Sequence, residues 1–275
     1  MKKQVIQQEV KTLVEAFLKI KEVSQNKMAE MLGVSPATIT NLLNENWEKL
    51  NQSMLLKIRS FFDTKEWVAI ETANFSTIQK SCNEAKMLHK MVGIIGYAGA
   101  GKTLALRNYY NNNSNTYMVT CSRAMRTKQF LNEILKGFGV NFLSSDFEMT
   151  KRIIDEMNKN SGTLLIIDEA SKLSENALMY IQDIWDGVED NAGIVLAGVE
   201  YLYTNIKKAS DKNKIGMPEF YSRVSYWQKL NTPTKAEINT ICEHNNITDE
   251  KLKRTLYRGA NFRLIRNAIQ NLKTI

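Results

Sequence analysis

The chain has 275 residues, is 43% hydrophobic and 24% charged, and carries a formal net charge of +8. That length leaves room for one medium domain and a small one with an ample core, and the composition is that of a soluble globular protein. No apolar run is long enough to cross a bilayer, which takes about 18 residues or more, so no membrane association is expected. The polar start Met1-Lys2-Lys3-Gln4 is followed by no signal-type apolar stretch, so cytoplasmic residence is the expectation. Cys82, Cys121 and Cys242 lack any C-x-x-C spacing and read as reduced thiols, and with only His89 and His244 a zinc site is not expected. The charge is uneven: residues 229–275 hold nine basic against four acidic side chains. A basic balance points to a polyanionic partner, although a solvated lysine-rich surface gives the same totals.

In chain order, Val5, Ile6, Val10, Leu13, Val14, Phe17, Leu18 and Ile20 mark a helical stripe. Ser24 can cap a second helix with Met28, Ala29 and Leu32 inside, and Gly33 ends it. Ser35 caps a third, with Pro36 at its first position and Ile39, Leu42 and Leu43 buried. Two short helices joined through a glycine turn are a helix-turn-helix, and the stretch resembles the phage-repressor-like family of such domains. Trp47, Leu55, Leu56, Ile58, Phe61 and Phe62 would supply the closing helices. In that family the second helix enters the major groove, which would turn Ser35, Ala37, Thr38, Thr40, Asn41 and Asn44 towards DNA. This face holds almost no Arg or Lys, so phosphate attraction through it should be weak. A small helical module that binds protein is the other reading.

The boundary near residue 65 has no Pro/Gly run. Ala73–Lys90 reads as a helix, with Phe75 and Ile78 either beside an adenine or in the core. Met91–Ile95 is short, apolar and partly β-branched, as a buried strand should be. Gly96-Tyr97-Ala98-Gly99-Ala100-Gly101-Lys102-Thr103 then fits G-x-x-x-x-G-K-[ST] at every fixed position, with a helix starting at Leu104. The glycines let backbone N–H groups curl around an anion, and the helix start adds its dipole. A nucleotide site is therefore expected at Gly96, Ala98, Gly99, Ala100, Gly101, Lys102, Thr103 and Leu104. Lys102 would reach the β- and γ-phosphates of ATP, and Thr103 would offer its hydroxyl to Mg²⁺.

A second strand, Thr116–Thr120, leads to Arg123, Arg126 and Lys128, three cations at a strand-to-helix loop that can track a phosphate backbone. The helix Gln129–Phe138 follows, with Phe130, Leu131, Ile134 and Leu135 inside. Leu164-Leu165-Ile166-Ile167 reads as a strand buried on both faces, hence a parallel sheet. Asp168 and Glu169 emerge at its C-terminal end, where such sheets bind ligands. Asp168 would hold Mg²⁺ through water, and Glu169 would orient and deprotonate the attacking water. Ala192–Gly198 makes a further strand, Lys207–Lys214 reads as a mobile lysine-rich loop, and Arg223 and Arg263 follow.

Together these blocks resemble the AAA+ ATPases over residues 65–275. The resemblance implies Walker A at Gly96–Thr103, Walker B at Leu164–Glu169, an arginine finger at Arg223 and a sensor 2 residue at Arg263 in Gly-x-Asn-x-Arg. No clear Asn or Thr stands at the sensor 1 position near Ala197-Gly198. The implied fold class is an α/β P-loop sheet (65–230) with a helical lid (231–275), preceded by an all-α helix-turn-helix domain (1–64). Within that group, the helix-turn-helix, the run Ile70–Phe75, the loop Gly96–Thr103 and the short basic lid resemble the phage Mu B-type transposition ATPases, related to the target-selecting ATPases of Tn7-like and IS21-like elements. This resemblance implies an ATP-dependent, sequence-indifferent binder of double-stranded DNA. Such proteins form homo-oligomeric helical filaments with ATP at subunit interfaces, deliver target DNA to a DDE transposase and disassemble on hydrolysis. Arg123, Arg126 and Lys128 would line the filament bore, with Lys151 and Arg152 as second choice, and the lid cations Lys251, Lys253, Arg254 and Arg258 would face a partner or DNA. A nucleotide-switched transcription regulator and a helicase loader or initiator are the alternatives.

Overall fold

The structure, a computed structural model, describes residues 2–62, 70–258 and 261–272. The expected boundary at 64/65 and Gly259-Ala260 of the last motif lie outside the described residues.

The chain begins with α1 (Lys2–Lys21), α2 (Gln25–Leu32), α3 (Pro36–Leu43), a 3-10 turn at Trp47–Lys49 and α4 (Gln52–Phe61). Val10, Val14 and Phe17 recur at helical spacing on the buried face of α1. Ser24 and Ser35 cap α2 and α3 by accepting from Lys27 N and Thr38 N, each at 3.2 Å, and Gly33 closes α2 at φ 61. Thr38 does not face outward as expected. It is 5% exposed and its hydroxyl meets Ser35 Oγ at 2.9 Å, because one turn of helix aligns it with the fully buried Leu42. Ser35, Ala37, Thr40 and Asn44 are exposed, whereas Asn41 is half-buried and accepts from Asn46 Nδ2 at 3.3 Å. Leu56, expected in the closing core, lies on the outer face of α4.

Next come α5 (Ala73–Met87), β1 (Met91–Ile95), α6 (Lys102–Asn112), β2 (Thr116–Thr120), α7 (Thr127–Gly137) and α8 (Asp146–Met157). They are followed by β3 (Thr163–Asp168), a 3-10 turn at Ala170–Lys172, α9 (Glu175–Asp186) and β4 (Ala192–Gly198). Then come α10 (Tyr201–Asp211), α11 (Met217–Arg223) and β5 (Val224–Lys229). The five strands form one sheet, ordered β2-β3-β4-β1-β5, and all paired strands are parallel. The alternation of side chains along a strand divides its core in two. Leu165, Ile167, Ile194 and Leu196 join one apolar cluster, while Leu164, Ile166, Val195 and Ala197 join another. Burial on both faces is why these strands read as uninterrupted aliphatic runs.

The second cluster also contains Val10, Val14, Phe17, Leu55 and Ile58 of the N-terminal helices. Phe17 lies 6.1 Å, ring to ring, from Tyr110 of α6. The Lys21 ammonium, 6% exposed, donates to the carbonyls of Tyr110, Asn113 and Thr116, and sits 3.7 Å from the centre of the Tyr110 ring. The N-terminal helices are thus packed on the back of the sheet domain through a shared core.

Lys207 and Lys208 belong to α10, not to a loop. Buried Leu202 and Ile206 give this stretch a helical stripe, and it contains no Gly or Pro to end it. The chain closes with α12 (Lys235–His244), α13 (Glu250–Arg258) and α14 (Phe262–Leu272). These bury Ile238, Ile241, Cys242, Leu256, Ile265 and Ile269 in a separate small core. Among the described residues no helix is long and apolar enough to cross a membrane.

Candidate active site

The loop between β1 and α6 begins where Gly96 N donates to Gly198 O at 3.2 Å, placing it at the C-terminal edge of the central strands. Gly99 and Gly101 stand at φ 89 and 87, where a side chain is strained. Around Gly101 there is open space, so backbone conformation alone demands glycine there. At Gly99 a Cβ would also come within 2.0 Å of Asn261 Oδ1.

Four carbonyls of this loop are taken by side-chain donors. Lys102 Nζ donates to Gly96 O at 2.8 Å and Tyr97 O at 3.0 Å. Asn261 Nδ2, at the start of α14, donates to Ala98 O at 2.5 Å, and Asn74 Nδ2, in α5, donates to Ala100 O at 3.3 Å. Holding the carbonyls back leaves the amides at the start of α6 as an anion-binding surface. Lys102 is 7% exposed, and burial pulls its ammonium below the ordinary lysine range. Arg263 pushes the same way, while Asp168 and Glu169 oppose. A phosphate would relieve both the burial and the repulsion.

Asp168, fully buried, accepts from Thr103 Oγ1 at 2.8 Å and from Glu169 N at 2.9 Å. Burial raises its pKa, and these two hydrogen bonds oppose the rise. A hydroxyl and a carboxylate in contact are hard oxygen donors of the kind Mg²⁺ takes, and a cation there would offset the cost of burying the charge. Glu169 follows at φ 58 and meets Lys172 Nζ at 3.2 Å. Lys102, Thr103, Asp168, Glu169 and Arg263 therefore act on one another at a single place.

Arg223, at the end of α11, makes its contacts elsewhere. Its Nε and Nη2 grip Asp186 at 2.5 and 2.8 Å, and Nη1 donates to Glu219 O at 3.0 Å. Asp186, Glu189 and Glu219 together surround it with negative charge. At the end of β4 a side chain at Gly198 would meet Ser171 Oγ at 3.2 Å, a buried hydroxyl with no hydrogen-bond partner among the described residues. Arg123, Arg126 and Lys128 are all exposed, the two arginines on the loop that follows β2 and the lysine in the first turn of α7 rather than on the loop. That loop starts at Cys121, whose N donates to Asp168 O at 2.9 Å, so it lies next to the acidic pair. Lys151 is exposed, whereas Arg152 pairs at 2.8 Å with Glu156, whose side chain is 3% exposed. Nothing in the sequence marked Ser171 or Asp186, and Asn74 stood inside the run Ile70–Phe75 with no task of its own. Asn261 was visible inside Gly-x-Asn-x-Arg, but only contact with the glycine loop gives it a task.

The AAA domain family matches residues 86–206. Among curated proteins, the Mu-like prophage FluMu DNA transposition protein B of Haemophilus influenzae is 26% identical over 244 residues, covering 84% of this chain and 83% of that one. The ATP-dependent target DNA activator B of Escherichia phage Mu is 24% identical over 251 residues, covering 88% and 78%. Among solved structures, the ORC2 protein of Aeropyrum pernix superposes with a TM-score of 0.55 at 18% identity, over 78% of this chain and 65% of that one, just under two thirds of its length. NtrX from Brucella abortus in complex with ATP gives 0.50 at 13% identity, over 84% and 58%. At such identities the structural likeness is one of fold. With a five-stranded parallel sheet around its glycine loop and similarity over most of its length to these transposition proteins, the chain is an AAA+ ATPase homologous to the transposition protein B of Mu-like phages.

Proposed function

We propose that this ATPase acts in DNA transposition as an ATP-dependent, sequence-indifferent binder of double-stranded DNA. It assembles into helical filaments on target DNA, presents that DNA to a DDE transposase, and leaves when ATP is hydrolysed. The observation that carries the catalytic part is the contact of Thr103 with Asp168 at 2.8 Å beside Lys102, Glu169 and Arg263. In this reading Lys102 and the amides from Ala98 to Leu104 bind the phosphates. Thr103, and Asp168 through water, hold Mg²⁺, which when bound neutralises charge on the phosphate oxygens. Glu169 orients and deprotonates water, and Arg263 contacts the phosphates from the lid. Arg223 reaches the ATP of the neighbouring subunit, which makes assembly depend on nucleotide.

The transposition role is supported by similarity to proteins called DNA transposition protein B and ATP-dependent target DNA activator B. Arg123, Arg126 and Lys128 are the DNA contacts we favour, since they are exposed and, among the described residues, no carboxylate forms an ion pair with them, with Lys151 next. Many weak phosphate contacts summed along a filament suffice without a strongly charged subunit.

Electron microscopy on random-sequence duplex DNA tests this, comparing ATP, ADP and the Lys102→Ala variant. Filaments formed only by wild type with ATP are expected, together with stimulation of a cognate transposase. Discrete particles at one sequence would instead support a transcription regulator, and recruitment of a helicase would support a loader.

A further inference from the structure

Asn74 is a polar side chain that the catalytic reading does not use, and it is only 6% exposed. It stands in the first turn of α5, after the cap Thr72, which accepts from Phe75 N at 3.2 Å. Its Nδ2 donates to Ala100 O in the glycine loop at 3.3 Å and to Asn231 O at 2.8 Å. Its Oδ1 accepts from Asn231 N at 3.1 Å. Asn231 lies in the short link between β5 and α12, so one amide grips both backbone groups of the lid's hinge and one carbonyl of the phosphate loop.

The surroundings extend this link. Leu230, 3% exposed, donates its N–H to Ile95 O at 2.8 Å, and its Cβ sits where a side chain at Gly96 would have to go. Ala73 N donates to Glu237 Oε1 at 2.7 Å. Glu237 Oε2 in turn takes Thr234 N at 2.7 Å and Thr234 Oγ1 at 2.9 Å, tying the first turn of the lid to the start of α5. From the far side of the lid, Asn261 reaches Ala98 O. The loop is therefore held at Ala98 by the lid's last helix and at Ala100 by a residue fixed to the lid's hinge.

A buried side chain serving only to fill space would be apolar, because an amide must recover its lost hydration through hydrogen bonds. Here the carboxamide is needed for its chemistry. Donors face two carbonyls and the acceptor faces an N–H, a combination an aspartate cannot supply and an alanine abandons. From this geometry we infer that Asn74 is a positioning residue of the nucleotide site, coupling the conformation of the phosphate loop to the setting of the helical lid. The inference rests on the proposed reading of Gly96–Thr103 as the phosphate site. When phosphates draw the loop amides inward, Ala100 O turns against the Asn74 amide, and the same amide resets Asn231 and with it the lid.

The test uses the full chain with a fluorescent ATP analogue and hydrogen exchange with and without nucleotide. Asn74→Asp keeps the size and the acceptor but sets a carboxylate against two carbonyls. It is expected to weaken nucleotide binding tenfold or more and to erase the nucleotide-dependent protection of residues 231–272, with the apo far-ultraviolet spectrum unchanged. Asn74→Ala, which adds no charge, carries the same expectation should the aspartate fail to fold. Variants that bind within twofold of wild type and still protect the lid would overturn the inference, as would failure of both to fold, since Asn74 would then be structural only. If wild type itself binds no nucleotide, or binds as well with Lys102→Ala, the reading of the phosphate site falls instead.

Discussion

Glu169 shows what a single residue carries at this site. Its backbone stands at φ 58, a region that costs a non-glycine residue about 1–3 kcal/mol, and its N–H turns back onto Asp168 Oδ1 at 2.9 Å. Adjacent residues on a regular strand point to opposite faces, so the turn at Glu169 is what lets both carboxylates serve one edge of the sheet. Replacing Glu169 with Gln is expected to keep ATP binding while slowing hydrolysis by about 10²–10⁴-fold, the usual worth of a general base. Single-turnover phosphate release reads this directly, and joint loss of binding would assign the carboxylate to the phosphate loop instead.

Lys21 is a second residue whose setting makes a measurable difference. Burial lowers its pKa to about 6, with the ammonium of Lys86 adding to the effect, while three carbonyls and the Tyr110 ring favour the charge. A lysine whose folded pKa is depressed contributes stability that is present above its unfolded pKa and is lost as pH falls towards the folded one. Wild type should therefore gain stability over Lys21→Met as pH rises from 6 to 9, in urea titrations of the two proteins. A pH-independent gap would mean that the carbonyl cage keeps the ammonium charged throughout. Even at pH 6 the variant leaves three carbonyls short of a donor, each loss costing about 1–3 kcal/mol where no water replaces it.

At the scale of elements, the stretch from β2 into α7 and helix α8 offer cations in different electrical states. Arg123, Arg126 and Lys128 are exposed beside the acidic pair of β3, whereas Arg152 shares buried Glu156 with Lys159. Removing the charges of Arg123, Arg126 and Lys128 together is expected to weaken DNA binding and to flatten its logarithmic salt dependence by about 2–3, near 0.9 per phosphate contact. Arg152→Ala should leave that slope nearly unchanged and lower the melting temperature, because it leaves a buried carboxylate with one partner fewer. Filter binding across a salt series separates the two. Element patterns also explain which readings of the sequence needed correction. A run such as Lys207-Lys208 looks like a loop by charge, yet Leu202 and Ile206 hold it in a helix. Thr38 looks like a groove-facing hydroxyl by its position after a capped proline, yet the turn that aligns it with Leu42 buries it.

At the scale of the molecule, Arg223 separates what one subunit does from what an assembly does. In the single chain its guanidinium is clasped by Asp186, and the register of β5 on β1 sets Arg223 beside the start of β1, whereas the loop that carries Lys102 follows its end. If it acts on the next subunit's ATP, Arg223→Ala should bind nucleotide normally and lose about 10³-fold or more in hydrolysis. Mixing it with Lys102→Ala should then restore part of the activity, since each supplies what the other lacks. No recovery in mixtures would leave Arg223 as a partner of Asp186 alone. The N-terminal helices bear on the same question, because their core runs on into the sheet domain through Phe17 and Tyr110. They form one packed body with the nucleotide domain, and their exposed residues Ser35, Thr40 and Asn44 can meet DNA only as that packing permits.

The sequence by itself determined the glycine loop, the strands around it and the acidic pair at the end of β3, because each depends on local rules. Glycines must stand where φ is positive, aliphatic runs must be buried on both faces, and capping residues must precede helices. Tertiary structure alone decided that Asn74 and Asn261 hold the loop's carbonyls, that Asp186 clasps Arg223, and that Lys21 closes the end of α6. Those contacts join residues far apart in the chain, and hydrogen bonds of that kind leave no periodicity or spacing to read. They exist only once hydrophobic burial has brought the elements together, which is why the motifs could be read in the sequence while the contacts between them could not.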